Sequence, residues 1–146
     1  MANRNAKGIG LQPSGVMGNE PATQGQSKYH IDAGHVAAIY NGEAVKTTGG
    51  YITTGSAGIT ANTLGTLNGV FYNATSTKKP TWNTYYPGNI TPADSEDVTA
   101  FVCDDPMGLW IGNFDAALGA NTPAAIAATI GATAGTGTSS GSTHSG

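Results

Sequence analysis

The sequence predicts an all-β fold, a small antiparallel β-barrel or sandwich, on three observations. Glycine supplies 22 of the 146 residues, about twice the usual share. Thr, Ala, Asn and Ser dominate the rest, at the expense of the Leu, Glu, Lys and Arg that favour long helices. Short β-prone runs recur at intervals of roughly ten residues, punctuated by Gly and Pro turns. One run, residues 98–103, alternates strictly: Val98, Ala100 and Val102 fall on one face, Thr99, Phe101 and Cys103 on the other, which is the period of a strand.

Taken in order, residues 1–27 carry Gly8, Gly10, Pro13, Gly15, Gly18, Pro21 and Gly25, with apolar side chains at Ile9, Leu11, Val16 and Met17. No period survives that punctuation. Two readings stand: an extended N-terminal arm that orders against a partner through those four side chains, and a terminus without a role. In residues 29–45, Asn41-Gly42 between apolar runs is a strong hairpin signal, because both residues accept positive φ. It predicts a strand ending near Tyr40 and another starting near Glu43. Gly49 and Gly50 break the chain again before Tyr51, Ile52, Thr53 and Thr54, a short β-prone piece.

Residues 55–65 suit a loop or irregular strand, and residues 67–72 a strand in which Gly69 marks a bulge or a close backbone approach. Pro87-Gly88 turns the chain after the aromatic group Trp82, Tyr85 and Tyr86. Asp104, Asp105, Pro106, Met107 and Gly108 then form a turn, after which Leu109, Trp110 and Ile111 resume the β pattern. Residues 98–114 therefore predict a hairpin with a five-residue loop, and as the densest apolar segment it is the expected core. Thr122 and Pro123 can cap and start a short helix reaching Ile130, and residues 131–146 read as a flexible Gly/Ser/Thr-rich tail. The expected organisation is an arm at 1–27, a β core at 28–118, and a short helix or coil with a low-complexity tail at 119–146.

Composition narrows the function. Charged residues are 10% of the chain and the net charge is −3, with only Lys78 and Lys79 adjacent among the cations, so no basic stripe suits a phosphate backbone and nucleic acid is not an expected partner. Apolar runs fall short of the roughly 20 residues of a membrane span, and the first residues lack the apolar segment of a signal peptide, so synthesis in a cytoplasm with no membrane partner is expected. Cys103 is the single cysteine, which leaves no internal disulfide or thiolate zinc cluster.

The residues offer little chemistry. Asp104 and Asp105 are adjacent and point to opposite faces of an extended chain, which suits a turn that binds its own amides better than acid–base work. With Asp94, Glu96 and Asp97 they match no calcium-loop spacing. His30, His35 and His144 form no metal triad, and Cys103 reads as a small buried hydrophobe without a base beside it. No enzyme activity, cofactor or metal is expected. Trp82, Tyr85 and Tyr86 have two readings: packing, at the bottom of a barrel or along a trimer axis, and an exposed platform that stacks on sugar rings.

Three segments carry a resemblance. The Tyr40, Asn41, Gly42, Glu43, Ala44, Val45 segment is similar to a Tyr-x-Gly-Asp-x-Val element of small capsid decoration (cement) and head proteins of tailed bacteriophages, with Glu43 in place of Asp. Residues 65–72 are similar to the strand that follows a Thr-rich segment in that family, and residues 100–106 resemble its strand ending in Asp-Asp-Pro. Together the segments span residues 29–115, about three-fifths of the chain. The resemblance implies a virion protein on the capsid exterior, bound as a homotrimer to the major capsid protein, a role that needs a terminal arm able to pair with coat-protein strands. Read from the residues themselves, Ile9, Leu11, Val16 and Met17 of the arm, and Trp82, Tyr85 and Tyr86, are the candidate partner-contacting residues. The alternative is a fibre-like or receptor-binding, glycan-binding virion component.

Overall fold

The computed structural model describes residues 10–18, 20–21, 25–55, 63–93 and 95–112. Its strands are β1 (Gln12–Val16), β2 (Glu20–Pro21), β3 (Ser27–Ile31), β4 (Ala44–Thr48), β5 (Tyr51–Thr54), β6 (Thr63–Asn73), β7 (Pro80–Asn83), β8 (Val98–Cys103) and β9 (Gly108–Ile111). Every ladder is antiparallel, and the described residues contain no helix. The all-β expectation holds. None of the described residues therefore forms a helix long and apolar enough to cross a membrane.

Two sheets result. The larger runs β3-β8-β6-β4-β5, with β7 also on β6, and the smaller runs β2-β1-β9. The 11-residue β6 is the spine. One of its edges pairs with β8, while the other is shared by β4 near Thr63–Thr66 and β7 from Val70 to Asn73. The larger sheet curls until its end strands β3 and β5 lie beside one another, but no ladder joins them.

The period of two in residues 98–103 sorts the side chains as the sequence says. Val98, Ala100 and Val102 are fully buried, together with Ile31, Ile39, Val45, Ile52, Leu67, Val70 and Tyr86. These ten make one continuous cluster inside the curl, the arrangement in which apolar burial contributes most.

The predicted 98–114 hairpin does not form. β8 lies in the larger sheet with β3 on one edge and β6 on the other, so neither edge is left for β9. The acidic turn instead throws the chain out of that sheet, closed by the Gly108 N–H donating to the Asp105 carbonyl at 3.0 Å, and β9 pairs with β1. Only the first half of the segment is core; Leu109 and Ile111 are exposed.

Asn41-Gly42 likewise makes a turn but not a hairpin. Glu43 N–H donates to the Tyr40 carbonyl at 3.0 Å, yet in the stretch between β3 and this turn only Ile39 is paired, in an isolated bridge to Tyr86. The hairpin falls at Gly49-Gly50, between paired Thr48 and Tyr51. There φ is +59° and +91°, which two glycines adopt without the clash a Cβ would bring.

The arm is not left waiting for a partner either: β1 pairs with β2 and β9 of its own chain. Of the loop or irregular strand expected at 55–65, residues 63–65 belong to β6, while residues 56–62, together with Ile9, the helix expected at 122–130 and the tail, lie outside the described residues.

Candidate functional site

The arm joins the body at a close crossing. Leu11 N–H donates to the Gly42 carbonyl at 2.8 Å, and a Cβ on Gly10 would stand 2.7 Å from the Gly42 Cα. Two residues without side chains allow that approach. The same turn is tied to β6, with Gly42 N–H on the Leu67 carbonyl at 2.7 Å, Leu67 N–H on the Glu43 carbonyl at 3.0 Å and the Asn41 amide on the Asn68 carbonyl at 2.7 Å. Asn68 is the extra residue of a bulge opposite β8, between Leu67 and Gly69. The bulge thus presents a carbonyl that the Asn41 side chain satisfies. The segments 40–45, 65–72 and 100–106 that carry the resemblance come together here, as the turn, the spine and its neighbour.

Past the crossing, β1 and the residues at its two ends carry the arm side chains of interest. Leu11 and Val16 are half-buried, and Met17 is 65% exposed, its N–H donating to the Met107 carbonyl at 2.9 Å. Opposite them β9 exposes Leu109 and Ile111, at 49% and 57%, with Met107 at 56% at its near end. Residues 107, 109 and 111 share one face by strand alternation. The small sheet therefore shows an apolar face ending in a methionine pair, next to strand β9, whose far edge has no neighbour among the described residues. Sequence reasoning placed Leu109 and Ile111 in the core. The signal against that was Pro106 with two aspartates, which redirects the chain where the hairpin reading needs it to fold straight back.

The aromatic group of the sequence is divided among three environments. Tyr86 is fully buried, its hydroxyl donating to the His35 carbonyl at 2.8 Å. Tyr85 stacks on Tyr40, with ring centroids 6.0 Å apart. Trp82 alone is half exposed, on the outer face of the larger sheet, where its ring meets Phe101 at 5.2 Å. Tyr86 thus follows the packing reading, and a joint platform of the three is not built.

The acidic residues hold structure. Asp104 accepts hydrogen bonds from the Ser27 hydroxyl at 3.0 Å and the Tyr29 hydroxyl at 2.6 Å, and the bond to Asp104, ahead of burial, raises the Tyr29 pKa. Asp105 accepts from the Met107 N–H at 2.8 Å, the amide-binding turn the sequence suggests. The Asp97 carboxylate near the Tyr51 hydroxyl raises the pKa of that tyrosine. Burial pushes the thiol of Cys103 up, and the Asp104 charge adds to it, so the sulfur stays protonated and a poor nucleophile. No group of three metal-ligating side chains occurs among the described residues. His30 stands on β3 and His35 in the loop beyond it.

Comparison of the chain with family models, with curated proteins and with solved structures gave no match.

Proposed function

We propose that the chain is a structural, non-enzymatic virion protein that decorates the outside of a mature phage head, bound as a homotrimer to the major capsid protein. The observation that carries this reading is the small sheet: Leu109 and Ile111 stand exposed on β9, and Met17 and Met107 at the end of the β1–β9 pair, beside an edge without a neighbour among the described residues. An exposed apolar strand edge is a template for another chain's strand. Covering each half-exposed side chain contributes roughly 1 kcal/mol, and the low charge of the chain keeps like-charge repulsion small when many copies sit side by side.

The mechanism is mass action. A protein that binds the closed, expanded shell and not the open one stabilises the closed state in proportion to the logarithm of its occupancy term. A staple of this kind needs no catalytic group.

The test is sedimentation of heads that lack the protein after adding the purified chain, as wild type and as the double variant Leu109→Ser, Ile111→Ser. The wild type is expected to pellet with the heads and the variant to remain in the supernatant while keeping its fold. Equal pelleting of the two would remove the small sheet from the interface.

A further inference from the structure

The outer face of the larger sheet carries a second surface, independent of the small sheet. In-register pairing places Lys28, Phe101 and Gly69 in one row across β3, β8 and β6, and His30, Thr99, Phe71 and Trp82 in the next row, which extends to β7. The side chains of these rows project away from the core, since Ala100, Val102 and Val70 between them are fully buried. Trp82 leans from its own row over Gly69, where a Cβ would run into the indole ring, and reaches Phe101. The missing side chain at Gly69 is what lets the indole lie down on the sheet. Phe71, its in-register neighbour, is 40% exposed and Trp82 49%. Beyond Phe101 stands the Lys28 ammonium, 5.9 Å from the ring centroid, within cation–π range.

We propose that this face is a binding site for an acidic polysaccharide. Exposed, immobilised aromatic rings present flat apolar surface, against which the C–H face of a pyranose ring stacks. Charge selects among sugars. Lys28 and His30 line the β3 side of the face, and none of the strand residues in the two rows is acidic. The carboxylates bordering these rows keep their charge but are held in local hydrogen bonds, Asp104 by Ser27 and Tyr29 on the opposite face of β3, Asp105 by the Met107 amide of its turn and Asp32 by the Gly34 amide. A ligand with sugar rings for Trp82 and Phe71 and a carboxylate for Lys28 complements both halves of the face.

Single-stranded nucleic acid would also stack on such rings, but it needs a cationic track along its backbone, and a chain with six Lys and Arg and a net charge of −3 does not supply one. A second copy of the same face offers Lys28 no carboxylate.

The experiment is calorimetric titration of the full chain with oligosaccharides of alginate, hyaluronan and polysialic acid, with neutral dextran and a single-stranded DNA oligonucleotide as controls. Saturable binding to at least one acidic glycan is expected, with none to dextran. Trp82→Ala and, separately, Phe71→Ala are expected to weaken it by about tenfold or more. Lys28→Gln, which leaves the aromatic rings in place, is expected to weaken it by about tenfold. Absence of binding to all three glycans overturns the proposal. So does binding of the DNA more tightly than any glycan, or glycan binding unchanged in a folded Phe71→Ala or Lys28→Gln variant. A folded wild type that self-associates, and loses that association on Phe71→Ala, assigns the face to copies of the chain instead.

Discussion

At the scale of single residues, Glu43 shows how the turn at the arm crossing depends on protonation. Its carboxylate accepts the Tyr40 N–H at 2.8 Å but is largely buried, and burial raises its pKa above the ordinary 4.5, more than the backbone bond lowers it. The folded protein therefore holds this proton to higher pH than the unfolded chain does. Stability from the group is complete below pH 4.5 and is lost as pH rises through the raised folded value. Glu43→Gln keeps an acceptor for Tyr40 and removes the titration. In urea melts from pH 4 to pH 7, the variant is expected to gain stability relative to wild type as the pH rises; a constant difference would contradict this.

Gly65 gives a steric counterpart: a Cβ there would fall on the Cys103 carbonyl oxygen, across the β6–β8 ladder. Gly65→Ala is expected to cost about 1–3 kcal/mol, read as a lower urea midpoint. At this scale much was legible. The inward set Val98, Ala100 and Val102 follows from alternation alone, and Gly69 as a place of close approach followed from a glycine inside a strand pattern. That the approaching group is Trp82 did not, because no local spacing relates residue 69 to residue 82 across the ladder.

At the scale of elements, turns were legible and pairings were not. Asn41-Gly42 and the Asp104–Gly108 run both form the turns their residues demand, since turn chemistry is local. Which strands flank a turn depends on which edges are free. β8 has both edges occupied, so β9 goes to the arm; the segment before Asn41 yields only one bridge, so the hairpin passes to Gly49-Gly50. The same logic governs the arm. Glycine and proline hide any period in residues 10–21, yet β9 offers an edge and β1 takes it.

Removing residues 1–26 deletes β1 and β2 but breaks no ladder of the larger sheet. The truncated chain is expected to retain cooperative unfolding, with β9 unpaired and amide exchange in residues 108–111 fast. Loss of the cooperative transition would show that the small sheet is part of the folding core.

At the scale of the whole molecule, the chain is a curled sheet around one apolar cluster with two surfaces on its outside. One is the apolar strand pair of the small sheet, the other the aromatic face with Lys28 at its side. The candidate site was half legible in the sequence. Met17, a candidate contact of the arm, stands exposed, whereas Leu109 and Ile111 were assigned to the interior because apolar density was taken for burial.

The proposed role requires the small sheet to recognise a surface that exists only on an assembled, expanded head. The most direct measurement is the stoichiometry of binding of the purified chain to expanded heads lacking it and, in parallel, to unexpanded proheads. Saturable binding to expanded heads, at a copy number matching their local threefold positions and with little binding to proheads, is the predicted result. Binding to neither particle, or equal binding to both without saturation, would contradict the decoration role.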